Sequence, residues 1–148
     1  MVLSLEIADA VTAELAAAPA GVFNLEFTPV RRVLPSFDLA ELAELQVSIV
    51  PRSAQTTGAS RSLAQHDIQI DIGIQQKLPA GSKQPDADVA PLLELVERIG
   101  MYLQRRPLTG LPWAVWVRSA NDPLYAPEHL TEQRVFTSVL TLTYRALQ

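Results

Sequence analysis

The sequence predicts an α+β fold, in which a mostly antiparallel or mixed sheet of about five strands is packed by two helices. The firmest local signal is in residues 66–78, where isoleucines alternate with polar side chains, as in a half-buried strand. The predicted elements run helix, two strands, a long strand, helix, two strands. This order lacks the repeated strand–helix alternation that is typical of a parallel sheet.

Length and composition indicate a single domain covering residues 1–148. A chain of this length buries roughly two thirds of its unfolded surface without help from metals or disulfides. The net charge of -4 argues against a general nucleic-acid-binding surface, which needs clustered lysine and arginine. Cysteine is absent, which excludes disulfides and thiolate chemistry. Because the N-terminal residues include acidic side chains and no apolar run reaches ~20 residues, we expect a soluble chain made in the cytoplasm.

The first third of the chain predicts a helix followed by two strands. Ser4 is a candidate N-cap for a helix that ends near Ala18. Residues 23–34 alternate in polarity and contain Pro29, which indicates an edge strand because proline cannot donate to a sheet. A short helical turn over residues 39–45 then leads into a strand that Pro51 should end or bulge.

Mobile loops are predicted near residues 52–64 and 78–86, where small and polar residues replace apolar ones. Between them runs the long strand described above. A helix with a wide apolar face covers residues 88–105, with Pro91 in its first turn. A short strand over 113–118, a turn-rich connection and a final strand over 134–146 complete the chain.

No catalytic, cofactor-binding or metal-binding residues are predicted. His66 and Asp67 are adjacent on a strand, so their side chains point to opposite faces and do not form a base with its orienting carboxylate. His129 has no partner at the HxH or HExxH spacing of metal sites. Hydrolase elbows and nucleotide-binding glycine loops are absent. The sequence therefore indicates a structural or binding protein more than an enzyme.

Two groups of polar residues are candidates for surface function. Asp67, Gln69 and Asp71 share one face of the long strand, and the two aspartates lie about 13 Å apart, too far to share a proton. They predict a polar surface that faces water or a channel. The basic residues and one tryptophan could contact a partner, although ordinary surface charges are the alternative interpretation. These candidate interface residues are Arg31, Arg32, Arg52, Arg61 and Trp116.

Four segments together carry a resemblance to a known family. They are LPSFDLAELAELQVSIVPRS, SRSLAQHDIQIDIGIQQKL, SANDPLYAPEHL and FTSVLTLTYRAL. The chain resembles, nearly end to end, the tail terminators of long-tailed bacteriophages, also called tail completion or neck proteins. The resemblance implies a homo-oligomeric ring, usually a hexamer, that caps the tail tube, stops its polymerisation and docks the head connector. It also implies a place in the virion, after assembly in the host cytoplasm, and no catalytic residues.

Under this resemblance the long strand would line the ring. Asp67, Gln69 and Asp71 would then face the lumen, where the aspartates would repel DNA phosphates and let DNA pass without specific binding. Residues 53–64 would become ordered on contact with the tube or the connector. Two alternatives stay open: a head-side stopper or connector protein of the neck, and a cytoplasmic α+β domain that binds a small ligand or is an enzyme.

Overall fold

The computed structural model describes residues 2–33, 41–79 and 85–148. Within them, one mixed five-stranded sheet is packed by two long helices, which confirms the predicted α+β fold. The strands lie side by side in the order β1-β2-β3-β5-β4. The helices are α1 (Leu3–Ala16), α2 (Pro85–Leu103) and a short α3 (Pro127–Gln133), and the strands are β1 (Pro29–Arg31), β2 (Gln46–Gly58), β3 (Ala64–Lys77), β4 (Val115–Ala120) and β5 (Val135–Leu147).

Three long strands form the centre of the sheet. β2 and β3 make a hairpin that pairs from Gln46↔Gln75 at its base to Gly58↔Ala64 near its turn. β5 pairs antiparallel with almost the whole length of β3. β4 pairs antiparallel with β5, whereas β1 is parallel to β2. The sheet is therefore mixed only because of the short edge strand β1.

The hydrophobic core lies between one face of this sheet and helices α1 and α2. The four isoleucines of β3 that the sequence placed on one face are all buried there. Burying a side chain of this size contributes about 1.5–3 kcal/mol relative to leaving it exposed. The alternating pattern of β5 is likewise confirmed, with Phe136, Leu140, Leu142 and Tyr144 directed into the core.

Several local predictions are corrected by the structure. Val2, not Ser4, occupies the N-cap of α1, and it makes no side-chain capping bond. Residues 22–25 form bends, so the edge strand is confined to Pro29–Arg31. The structure starts α2 at Pro85, which puts Pro91 inside the helix, beyond its first turn. Residues 127–133, predicted as part of a turn-rich connection, form α3 with Pro127 at its start.

The predicted loop at 52–64 is also shorter than expected. β2 continues to Gly58 and β3 begins at Ala64, so the turn between them spans only residues 59–63. A register shift between Pro51 and Ser53 marks the bulge expected at Pro51, and the strand continues past it. Backbone pairing with β3 supplies the order that a polar composition could not predict. Most of the second predicted loop, residues 80–84, lies outside the described residues, as does the part of the predicted helical turn in residues 34–40.

Candidate functional site

The face of the sheet opposite α1 and α2 is the main candidate for a functional surface, and we call it the open face. The cross-strand register places its residues in level rows, because residues paired across strands point the same way. The row through Asp67 contains Gln55 and Arg145, and the row through Asp71 contains Val50 and Thr141. All three predicted lumen residues lie on this face, with Gln69 accepting a hydrogen bond from the Ser53 hydroxyl at 2.9 Å.

Asp67 and Arg145 form a two-pronged ion pair across β3 and β5. The arginine Nε donates to one carboxylate oxygen at 2.9 Å and its Nη2 donates to the other at 3.2 Å. These hydrogen bonds hold the pKa of Asp67 below its usual range, and the nearby positive charge of Arg118 contributes in the same direction. The same bonds raise the pKa of Arg145. Each of the two charged groups is therefore already bound to a partner of opposite charge.

Asp71 is also paired on the open face. Its carboxylate accepts a hydrogen bond from the Thr141 hydroxyl at 2.7 Å, and Arg52 Nη1 lies 3.7 Å from the same oxygen. Arg52 Nη1 also donates to the Thr141 hydroxyl oxygen at 3.4 Å. Arg52 thus bends from the bulge of β2 across β3 toward β5. The side chains of three strands converge on one carboxylate.

These pairs correct the expectation of an acidic surface. The two aspartates are accompanied on the same face by three arginines, at positions 52, 118 and 145. Around them stand hydroxyl and amide groups from threonine, serine and glutamine. Asp67 and Asp71 are both paired, so neither remains as an unpaired carboxylate that repels DNA phosphates. The open face therefore carries charges of both signs, and both of its aspartates are paired with arginines.

The candidate interface residues do not form one patch. Arg31 donates to Asp9 of α1 at 2.9 Å, and Arg32 follows it, half-buried, just after β1. Arg61 is exposed in the turn between β2 and β3. Only Arg52 reaches the open face. Trp116 is half-buried against the core, and its Nε1 donates to the Ser119 hydroxyl at 2.9 Å.

Trp113 also packs partly against the core, and it precedes β4 instead of belonging to it. Trp116, the tryptophan among the candidate interface residues, therefore lies partly buried against the core. Both contribute their rings to the edge of the core, which leaves Val115, 59% exposed, as the large apolar side chain at the start of β4. Neither tryptophan is presented as an exposed anchor for a partner.

The feature that sequence reasoning missed is the outer part of the β2–β3 hairpin, residues 52–66, which we call the arm. Every residue from 52 to 63 is exposed. The turn is closed by backbone bonds from Ala59 and Ser60 to the carbonyl of Leu63, and Leu63 itself is 44% exposed. Gln148 and Ala64 exchange two backbone hydrogen bonds beside it. The arm is thus an ordered, paired structure whose outer strand and turn are exposed.

A buried carboxylate, Glu14, was also missed. It lies on the core side of α1, where its Oε1 accepts hydrogen bonds from the backbone N–H and the hydroxyl of Thr109 at 2.9 and 2.7 Å. Arg106 Nη1 is 3.8 Å from the other oxygen. Burial, reinforced by the Glu14 charge, raises the pKa of Tyr144. An acidic residue in the stripe of Ile7 and Val11 is the signal that could have revealed this contact.

No protein-family model matches the chain, and no curated protein matches it. Within the described ranges, no group of three or more His, Asp or Glu side chains is placed to hold a metal ion. Nor does any helix there combine the length and the apolar character needed to cross a membrane. A cavity of about 1190 Å³ lies between the end of α1, residues 18–30 and residues 43–46. The open face and the arm are therefore the surfaces on which a function can be argued.

Proposed function

We propose that the protein is a tail terminator: identical subunits form a ring that caps a phage tail tube, ends tube polymerisation and joins the tail to the head connector. The observation that carries this proposal is the combination of an open face whose aspartates are paired with arginines and an arm whose outer strand is exposed at the edge of the same sheet. The four sequence segments that resemble the tail terminator family support it. The product of this activity is an assembled virion, so the partners are a second copy of the chain, the tube protein and the connector.

A ring requires contacts in which one surface of a subunit meets a different surface of the next. The arm is suited to this because its residues 52–63 are all exposed at the edge of the sheet. Such a hairpin can reach a neighbour without disturbing the core. With the helices outside, the open face lines the central channel.

A channel for DNA must not hold the phosphate backbone tightly. Proteins bind DNA through arginine and lysine side chains that replace the counterions of phosphates. On the open face Arg145 is held by both oxygens of Asp67, and Arg52 is directed to Asp71. An arginine that is already paired with a carboxylate gains little from a phosphate. Pairing of these two arginines therefore weakens their attraction for phosphate, which favours passage of DNA without specific binding.

Assembly tests the first part of this proposal. Light scattering of the purified protein across concentration, followed by electron microscopy with tail tubes that lack an end protein, should show rings in solution or rings that form only at tube ends. Added protein should also stop tube elongation. A compact monomer that ignores tubes would refute the proposal. Rings that bind isolated connectors but never tubes would identify a head-side stopper instead.

The channel chemistry has its own test, which uses matched variants. Asp67→Ala should release Arg145 and increase binding of double-stranded DNA to the purified protein at low salt, as measured by fluorescence anisotropy. The double variant Asp67→Ala with Arg145→Ala removes both charges and should return binding to the wild-type level. If instead both variants gain DNA binding equally, simple acidic repulsion by Asp67 operates and the paired-charge explanation is wrong.

A further inference from the structure

The sheet has two incompletely paired edges at opposite sides. β1 pairs with β2 only at residues 47–49, and the backbone N–H of Arg32 donates to the carbonyl of Ile49 just beyond. From Ser53 to Gly58, β2 has β3 on one side and, among the described residues, no strand on the other. At the far side, β4 is the last strand of the sheet. Both edges present backbone groups that can pair with another strand.

The two edges match in length and overlap in height along the sheet. The open part of β2 and the whole of β4 each span six residues. Through the cross-strand pairs, Val115 is level with Arg145, Asp67 and Gln55. At the other end, Ala120 is level with Thr141, Asp71 and Val50. A strand placed beside β2 at the height of β4 would therefore lie beyond the β1 pairs at 47–49 and face residues 50–55, and a shift of two residues brings it mainly onto the unpaired segment.

Strand direction also fits. β2, β3, β5 and β4 are successively antiparallel, so β2 and β4 run in opposite directions. Rotation about an axis that is roughly parallel to the strands preserves both strand direction and the face that points inward. It brings β4 of one copy beside β2 of the next as an antiparallel pair, with both open faces toward the axis.

The side chains along the β2 edge leave its backbone available for pairing with another strand. Natural proteins protect a free edge with charges, proline or a covering element. Residues 53–58, SAQTTG, contain neither charge nor proline, and all are exposed. The bulge lies before this segment, at Pro51, and does not interrupt it. An exposed and uncharged strand of this length favours β-strand addition.

We propose that β4 of one subunit pairs antiparallel with residues 53–58 of its neighbour, so that the sheet continues from copy to copy around the ring. The occupant of this edge is a second copy of the same chain. The inference rests on the ring of the proposed function and specifies its interface. Such a junction would contain on the order of six backbone hydrogen bonds, since an antiparallel ladder makes about one per residue.

Disulfide cross-linking can test this pairing because the chain has no cysteine of its own. Val115→Cys combined with Gln55→Cys places both thiols on the open face, and mild oxidation should yield a ladder of covalent oligomers that ends at the ring size. Since strand tilt can shift the register by two residues, Ser53→Cys and Thr57→Cys belong to the same set. The matched control, Val115→Cys with Thr56→Cys, points one thiol to the opposite face and should cross-link far less.

Each outcome decides between specific arrangements. Strong cross-linking of Val115→Cys to a cysteine at 53, 55 or 57, with weak cross-linking to one at 56, supports the β4–β2 pair. Covalent dimers from Gln55→Cys alone would show two-fold pairing of β2 with β2 and overturn the proposal. Rings that form but show no cross-link in any combination would also overturn it, while leaving the proposed function intact. A chain that forms no rings and ignores tubes would refute the proposed function itself. Thermal melts check that each variant is folded.

Discussion

Replacing Glu14 by alanine should destabilise the protein by about 2 kcal/mol. The substitution removes two hydrogen bonds to a carboxylate, at 2.9 and 2.7 Å, and each such bond contributes about 1.5–3 kcal/mol. The Arg106 contact at 3.8 Å adds roughly 0–1 kcal/mol, because that arginine is partly solvated. Removing the carboxylate also relieves its desolvation, which offsets several of these kcal/mol. For a domain of this length, about 2 kcal/mol corresponds to a fall in Tm of roughly 6 °C.

Two controls separate the causes. Glu14→Gln keeps an oxygen that can accept both bonds from Thr109 and loses only the charge, so it should cost about 1 kcal/mol, half the effect of alanine. Asp9→Ala lies on the same helix, and its ion pair with Arg31 leaves the aspartate side chain 59% exposed, so its effect should stay within ~0.5 kcal/mol. Urea unfolding and thermal melts measure all three variants.

The result also concerns the proposed interface. Thr109 belongs to the connection that runs from α2 into β4, and Glu14 ties that connection to α1. A loosened connection should misplace β4 and weaken ring formation in Glu14→Ala more than in Glu14→Gln. If Glu14→Ala melts within 1 °C of the wild type, the contact is not stabilising and this role for Glu14 is wrong.

Three further substitutions test the sheet. Ile72→Ala, at a fully buried position of β3, should cost about 2–5 kcal/mol in urea unfolding, and a loss below 1 kcal/mol would contradict the assigned core. In Gly73→Ala the new Cβ would lie 3.1 Å from the Ser48 hydroxyl, so we expect a loss of about 1 kcal/mol that Ser48→Ala restores; no rescue would place the strain elsewhere. Because the folded-state pKa of Asp67 is lowered, its stabilisation is present above the unfolded value of 3.8 and is lost as pH falls through the folded one. Asp67→Asn should therefore lose less stability than the wild type between pH 7 and pH 3, and equal losses would exclude the pair as the cause.

The parts of the fold that the sequence predicts are those in which one face of an element is buried. The isoleucines of β3 and the apolar side chains of β5 alternate because the core lies on one side only, and that alternation is visible in the sequence. The outer half of β2 carries no such signal. Its side chains are exposed on both faces, and its order comes from backbone pairing with β3, which composition cannot show.

The ion pairs of the open face illustrate a different limit. Asp67 and Arg145 are 78 positions apart, so the contact depends on the β3–β5 register and not on local pattern. Part of that register could still have been anticipated. Asp67 and Asp71 are four residues apart on one strand, as are Thr141 and Arg145 on the other, and antiparallel pairing aligns both sets in one register. That alignment predicts aspartates paired with an arginine and a threonine in place of an acidic surface.

The proposed ring also explains why an uncharged edge strand is kept in this chain. An open edge invites uncontrolled pairing, and a monomer would gain solubility from a lysine or proline within residues 53–58. In a closed ring the same six residues are covered by β4 of a neighbour, and every subunit uses both of its edges. Closure then protects the assembled particle in the way that a β-barrel does, by leaving no strand edge free. The risk of uncontrolled pairing is then limited to the unassembled subunit, in which the unpaired edge is the surface that binds the next copy.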